Sequence, residues 1–368
     1  MHKEEEQICE VCARFGLCRS ERDCERLTGG HINSTYRVYY WQDGEERNCI
    51  VQRINTYVFR DPIALMENIA IVTEFLCEKR LRSGSDLQNA LRYLRAKDGK
   101  YYTRLPDGSF WRCCRYIEGS TSFAYTNDLK IIEESGKAFG EFQALLTDFP
   151  VDRLHIVIPH FHNTVMRYAA LRQAFSKSDA ARIALAEETF RGFEKLEPLA
   201  TQPYRLQREG QLPLRVTHND TKTSNVLFEA TSGRYLSVID LDTVMPGLIA
   251  FDFGDAIRAA ASTAVEDEKN TDLVAVDMDK YEAFTCGFVG KLREGLTERE
   301  AETLALGALA MTAECGVRFL TDYLEGDRYF RTEYPEHNLI RAKCQLTLAW
   351  DMAKRLEEMG RIVKKYYH

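Results

Sequence analysis

Two rhythms of apolar and polar positions divide this chain. Up to about residue 117, apolar positions come in short runs of β-branched and aromatic residues: "GGHINSTYRVYYW" (29–41), "ERNCIVQRI" (46–54), "KYYTRL" (100–105) and "SFWRCCRYI" (109–117). Turn formers separate them, Asp43-Gly44 and Pro106-Asp107-Gly108, as hairpin connections require. A short helix precedes these runs. A second helix, from Pro62 to about Leu81, interrupts them, with Ile63, Met66, Ile69, Ala70 and Phe75 roughly at helical spacing. After Glu118-Gly119 the helical period takes over and predicts helices over about 128–147, 164–175, 179–200, 279–293, 297–325 and 335–365. The exception is a small strand pair in which "NVLF" and "YLSVIDLDTV" flank a turn at Ser232-Gly233. The prediction is an α+β chain of two lobes: a small antiparallel-sheet lobe over 1–117 and a larger, mainly helical lobe over 118–368. No internal repeat or low-complexity linker breaks this pattern.

Length and composition agree. A chain of 368 residues exceeds what one core usually serves, and 45% hydrophobic residues supply enough material for two. The net charge of −7, with no basic block, argues against nucleic-acid binding, which rests on phosphate neutralisation. No run of about 18 apolar residues predicts a membrane span. The start, MHKEEEQ, lacks the apolar stretch of a signal peptide. The 11 cysteines are odd in number and scattered, so the expectation is a cytoplasmic chain with reduced thiols and no obligate protein partner. Cys9, Cys12, Cys18 and Cys24 come nearest to a metal pattern. However, Ile8, Val11, Cys12 and Phe15 fall at helical spacing, which makes Cys12 a core residue, and the second pair is too widely spaced for a zinc knuckle.

The candidate chemistry lies in "RVTHNDTKTSNVLF" (215–228), where His218, Asn219, Asp220, Lys222, Ser224 and Asn225 are fenced between apolar ends. Phosphoryl transfer needs a carboxylate to take or orient the acceptor's proton, oxygen donors for magnesium, and a cation for the transferring group. Asp220, Lys222 and Asn225 follow the D-x-x-x-x-N layout of a kinase catalytic loop, and Asp240 in "VIDLD" follows at hairpin distance. The spacing lets Asp220 and Asn225 point into one cleft from opposite ends of a tight loop. An Asx-rich hairpin with capping roles is the plain alternative.

The loop, "VIDLD" and "FDFGDAIR" (251–258) resemble the aminoglycoside phosphotransferase and choline kinase superfamily, which has the protein-kinase-like two-lobe fold. "GGHINSTYRV", "LRVTHNDTK", "IDLDTVMPG", "STAVEDEK", "ECGVRFLTDYLEGD" and "YPEHNL" are similar, within it, to the N-acetylhexosamine 1-kinases, from about residue 27 to 345. The resemblance implies transfer of the ATP γ-phosphate to the anomeric hydroxyl of N-acetylglucosamine or N-acetylgalactosamine. It makes Asp220 the catalytic carboxylate, with Lys222 a cation for the γ-phosphate, and Asn225 and Asp240 the magnesium ligands. It points to His31, Asp220, Arg318 and Tyr329 as sugar contacts. Gly29 and Gly30 would let the backbone approach phosphate, and Tyr116 and Ile117 would lie beside adenine at the lobe junction. Asp242 reads either as support for Asp240 or as a turn acid. Asp252 and Asp255 read as anchors of the catalytic loop, with a helix start at Asp255 as the alternative. Arg318 has Glu314 four residues before it, so a plain helical ion pair competes with sugar binding. One departure stands out: the phosphate-binding strand lysine of protein kinases falls at Gln52, which carries no charge, and Arg53 alternates to the other strand face. Two further readings stay open: a related phosphotransferase acting on another sugar, an amino alcohol or an aminoglycoside, and a nucleotide-binding protein without activity.

Overall fold

The computed structural model describes residues 2–28 and 32–368. Helix α1 (His2–Arg14) lays Ile8, Val11, Cys12 and Phe15 against a sheet built from β1 (Cys18–Arg19), β2 (Glu25–Leu27), β3 (Ser34–Gln42) and β4 (Glu45–Ile54). Helix α2 (Pro62–Arg82) follows, then β5 (Thr103–Arg104) and β6 (Phe110–Arg115). The strand order is β1-β3-β4-β6-β5, antiparallel, with β2 paired to β3. The sheet's α1-facing side buries Val38, Val51 and Trp111. α2 starts where Pro62 takes a first-turn position and the Asp61 carboxylate accepts from the Ile63 and Ala64 amides.

The chain leaves the sheet through residues 116–119 and pairs at once with the second lobe. Strand β7 (Ser120–Thr121) is followed by α3 (Leu129–Leu145), α4 (Thr164–Lys177), α5 (Ala180–Ala200) and α6 (Gln202–Arg208). Then come β8 (Arg215–Thr217), β9 (Val226–Glu229), β10 (Tyr235–Val238) and β11 (Met245–Gly247). The chain closes with α7 (Ile249–Ala260), α8 (Met278–Leu292), α9 (Glu298–Leu324) and α10 (His337–Tyr367). β9 lies between β10 and β7, and β8 pairs with β11, so the loop after β8 is framed by two small ladders.

Helix α7 sets aside the alternative of a helix start at Asp255: the stretch around "FDFGD" is helical from Ile249. Asp252, Asp255 and Arg258 recur every third residue and share one face, but Asp252 and Asp255 are turned into the protein rather than to solvent. The helix crosses α9 so closely that a Cβ on Gly307 would lie 2.0 Å from the Ala250 carbonyl oxygen, and one on Gly254 2.2 Å from the Gly307 oxygen. Only glycine permits that approach. α9 is long and apolar enough by composition to cross a membrane, but 89% of that window is buried within the protein, which makes it a core helix. The "YLSVIDLDTV" strand ends at Val238, and residues 241–243 form a tight helical turn instead. "KYYTRL" contributes only the two residues of β5. In the 186–191 stretch of α5, Ala186, Thr189 and Phe190 face the core.

Four apolar clusters hold these parts, the smallest packing Leu206, Leu212, Leu248 and Phe251 against Ala310 and Met311. One lies under the helices around Phe253, Tyr281, Phe284 and Phe288. Another backs the sheet. The third, with Ile69, Val72, Phe142, Val216, Leu241 and Val244, joins α2 to the base of the loop region. Within it the Asn68 side-chain amide donates to the carbonyls of His155 and Val244, each at 2.9 Å. Helix α2 is thereby tied to the segment that carries Asp240 and Asp242.

Candidate active site

Strand β8 runs into a loop whose backbone is pinned by acids from α7. The Asp252 carboxylate accepts from the amides of His218 (2.8 Å) and Asn219 (2.7 Å) and from Gln143 Nε2 (2.6 Å). Asp255 accepts from the Thr221 amide at 3.0 Å and is paired with Arg258. Asp252 and Asp255 are one helical turn apart, so both reach the same loop. Burial raises the Asp252 carboxyl above its ordinary range, while its hydrogen bonds pull the other way. His218 is fully buried: Nε2 meets the Ile239 carbonyl at 2.9 Å, and Nδ1 accepts from the Asp220 amide at 3.3 Å. Those partners fix a neutral tautomer with its proton on Nε2. Phe139 and Phe142 present their edges to its ring. Asn219 sits at φ 63, a left-handed conformation that asparagine adopts more readily than most residues. Its side chain accepts from Thr217 and donates to the Thr243 carbonyl.

These pins turn Asp220, Lys222 and Asn225 together. Asn225 Nδ2 donates to Asp220 Oδ2 at 3.0 Å and to the Asp220 carbonyl at 2.8 Å, and Lys222 Nζ pairs with the same Oδ2 at 3.0 Å. Among the described residues, Asp220 Oδ1 makes no hydrogen bond. Burial works against the Lys222 ammonium, but Asp220 outweighs it and holds its pKa above the ordinary lysine value. Asp240 follows β10 at φ 63, also left-handed. Burial, then the charges of Asp242 and Asp220, push its carboxyl up to about 6. The two ends of the motif therefore meet, as the spacing predicts, with Asp240 close enough to feel Asp220.

Asp242 is neither a simple turn acid nor a direct partner of Asp240. It is 4% exposed and accepts from Arg112 at 2.5 Å and from Asn33 Nδ2 at 2.6 Å, both on the sheet side. Arg112 also donates from Nε to Gln52 Oε1 at 2.9 Å. Gln52 is thus engaged by a cation that the sequence reading did not single out. Tyr116 is half-buried under the Arg37 guanidinium, 4.0 Å from its ring centre, and Ile117 is buried, both in the segment joining the lobes. Gly29, Gly30 and His31 lie outside the described residues.

A second group lies against the back of the loop. His162 Nε2 meets the Asn219 carbonyl at 3.3 Å and Nδ1 meets Glu314 at 2.9 Å, while Thr164 donates to the other Glu314 oxygen at 2.6 Å. Glu314 is therefore not the helical partner of Arg318, which corrects that alternative. Burial alone would raise the Glu314 carboxyl, but the bonds from His162 and Thr164 and the charges of His162 and Arg167 hold it below the ordinary value. Arg318, half-buried, stands 5.4 Å from the Phe330 ring centre and 6.0 Å from that of Tyr329. Arg167 is close by: burial lowers its pKa, and the Arg318 charge lowers it further. Neither arginine forms an ion pair among the described residues. Tyr329 is 73% exposed, on a turn whose 328, 329 and 330 amides all donate to the Asp322 carboxylate. His162 and Arg167 escaped the sequence reading because nothing local marks them, although "HFH" before a helix start is a signal of polar residues worth noting.

Among the described residues no three His, Cys, Asp or Glu side chains are grouped so as to hold a metal ion. Cys12 is core, as its spacing predicts.

Comparison with known proteins agrees with this architecture. A microcompartment-associated aminopropanol kinase superposes with a TM-score of 0.58 at 15% identity, covering 92% of this chain and 94% of its own. Spectinomycin phosphotransferase, in complex with ADP and spectinomycin, gives 0.57 at 14% identity over 96% and 98%. Choline kinase from Cryptosporidium parvum Iowa II gives 0.56 at 12% identity over 99% of each chain. At such identities these matches establish the protein-kinase-like fold, with its curled antiparallel sheet and helical second lobe. The model of the phosphotransferase enzyme family (APH) matches residues 23–284, more than half of the chain. A pinned polar loop on this fold and a family match of that extent lead to one assignment: the chain belongs to the phosphotransferase enzyme family.

Proposed function

We propose that the protein is an ATP- and magnesium-dependent kinase that phosphorylates the anomeric hydroxyl of N-acetylglucosamine or N-acetylgalactosamine. The observation that carries this reading is the meeting of Asp220, Asn225 and Asp240 on a loop held from beneath by Asp252 and Asp255. Asn225 and Lys222 both occupy Oδ2 of Asp220. That leaves Oδ1 to accept the acceptor's hydroxyl proton and fix the oxygen for in-line attack. The ADP-bound spectinomycin phosphotransferase supports a nucleotide donor.

The residues fit magnesium. Burial and the charges of Asp242 and Asp220 raise the Asp240 carboxyl, and a divalent cation beside it would relieve that repulsion. Asn225 spends its Nδ2 on Asp220 and keeps its Oδ1 for a ligand. Few protein oxygens beside substrate phosphates is the environment magnesium takes. When bound, the ion would neutralise charge on the phosphates.

The neighbouring Arg167 and Arg318 support the choice of acceptor class. A cationic acceptor such as choline or an aminoglycoside needs carboxylates or an open aromatic cage. Here the nearby acids are already engaged, Glu314 by His162 and Asp322 by backbone amides, and arginines lie over the aromatic rings. A neutral acetamido sugar offers oxygens that arginine donors can satisfy. The resemblance of "ECGVRFLTDYLEGD" and "YPEHNL" to the N-acetylhexosamine 1-kinases points the same way. The test is ADP release with ATP and magnesium over N-acetylglucosamine, N-acetylgalactosamine, glucose, galactose, choline and kanamycin. Turnover on the acetamido sugars is expected. Turnover on choline or kanamycin alone would replace this reading with that of a related phosphotransferase.

A further inference from the structure

Gln52 leaves the sheet without the cation that holds nucleotide phosphates in protein kinases. The ladder shows what stands in its place. Thr35, Gln52 and Arg112 are directly opposite one another on β3, β4 and β6, so their side chains share one face as a single rung. They are also bonded in sequence along it: Gln52 Nε2 donates to Thr35 Oγ1 at 3.1 Å, and Arg112 Nε donates to Gln52 Oε1 at 2.9 Å. From below, Asp242 takes Arg112 NH1, and Asn33, which leads into β3, holds the other Asp242 oxygen. Met66 of α2 lies 3.9 Å from NH1, and the Tyr93 ring centre is 5.4 Å from the guanidinium. Arg112 is 1% exposed, yet its NH2 group has no hydrogen-bond partner among the described residues. A buried, unpaired donor on a charged group costs stability unless something else satisfies it.

We propose that Arg112 is the phosphate-binding cation of this enzyme, held in place by Gln52 and Asp242, with its NH2 reserved for an oxygen of the nucleotide's α- or β-phosphate. This rests on the nucleotide-dependent reading above. The cation–carboxylate pair of protein kinases joins a strand lysine to a glutamate of the sheet-side helix. Here the cation moves one strand over, and its carboxylate comes from the loop that carries Asp240. The helix position facing the cation is the uncharged Met66. The two cations nearest to it in sequence role fit less well: Arg53 is exposed on the opposite face, and Lys222 is paired with Asp220. The arrangement links phosphate binding to the metal loop, because Asp242 lies two residues after Asp240. Gln52 becomes a positioning residue that aligns the guanidinium plane.

The test is calorimetric binding of ADP and of adenosine, with no sugar present, to the wild type, Arg112→Met, Arg112→Lys and the double variant Gln52→Lys/Arg112→Met. Arg112→Met should weaken ADP on the order of 30-fold, the scale of one charge-assisted hydrogen bond pair, while adenosine changes less than about twofold. The double variant, which returns a lysine to the middle strand, should recover most of the ADP affinity. If Arg112→Met does not fold, Arg112→Lys decides the matter: it should lower ADP affinity and spare adenosine, because one ammonium cannot serve both Asp242 and phosphate. Unchanged ADP affinity, or equal loss of ADP and adenosine, would overturn the assignment and leave Arg112 a purely structural ion pair. A wild type that binds neither ligand would overturn the nucleotide reading itself.

Discussion

The Asp252→Asn substitution probes how the catalytic loop is held. The carboxylate takes three donors, the Asn219 amide on Oδ1 and the His218 amide with Gln143 on Oδ2. An amide side chain accepts at only one end. The least damaging orientation keeps the oxygen toward His218 and Gln143 and turns the new NH2 against the Asn219 N–H, donor to donor. One buried amide is then orphaned, at about 1–3 kcal/mol, and two charge-assisted bonds fall to neutral strength, at about 1–2 kcal/mol together. Relief of the buried charge, which already raises the carboxyl's pKa, returns part of this. The net loss is about 2–4 kcal/mol. At roughly 2.1 cal/mol/K per residue of unfolding entropy, 368 residues give a melting point lower by about 3–5 °C. The functional loss should be larger, because Asp220 directly follows Asn219 and a displacement near 1 Å costs about 100-fold in rate. Thermal melts, kcat from ADP release and ADP affinity measured together give the result. A variant with wild-type melting point and kcat would refute the claim that this carboxylate holds the loop.

Three further outcomes follow from the packing and charges. Gly307→Ala places a methyl group against the Ala250 carbonyl and should cost about 1–3 kcal/mol as the α7–α9 crossing opens, read as a lower melting temperature. Glu314 has a folded pKa below its ordinary 4.5, so its ionised form stabilises the fold above that pH, and this contribution fades as pH falls through the lower folded value. The melting-point gap between wild type and Glu314→Gln should therefore be full at pH 7 and shrink in acid; a constant gap would contradict the sign. Arg318→Ala should raise KM for the acetamido sugar about tenfold and leave ADP affinity unchanged, and a fall in ADP affinity would move Arg318 out of the acceptor site.

Much of this was legible from the chain alone, for identifiable reasons. The long helices carry extended runs of helix-forming residues with apolar positions at helical spacing, and the D-x-x-x-x-N loop carries its chemistry within a few residues of sequence. Helix α7 was missed because it is only 12 residues long and its polar face, with Asp252 and Asp255, is buried rather than solvated. The Arg112–Gln52 pairing depends on strand register between segments 60 residues apart, and His162 meets Glu314 across 152 residues. No local pattern encodes either. Gln52 looked like a missing charge in sequence; in the fold its cross-strand neighbour supplies one.

The central claim is that the Asp220 loop delivers a phosphoryl group to the anomeric oxygen of an acetamido sugar. Proton–phosphorus correlation NMR of the product formed from N-acetylglucosamine, ATP and magnesium tests it most directly. The account predicts phosphorus coupled to the anomeric proton, and no product from Asp220→Asn. Phosphorus coupled to the C6 protons, or product formation undiminished in Asp220→Asn, would contradict it.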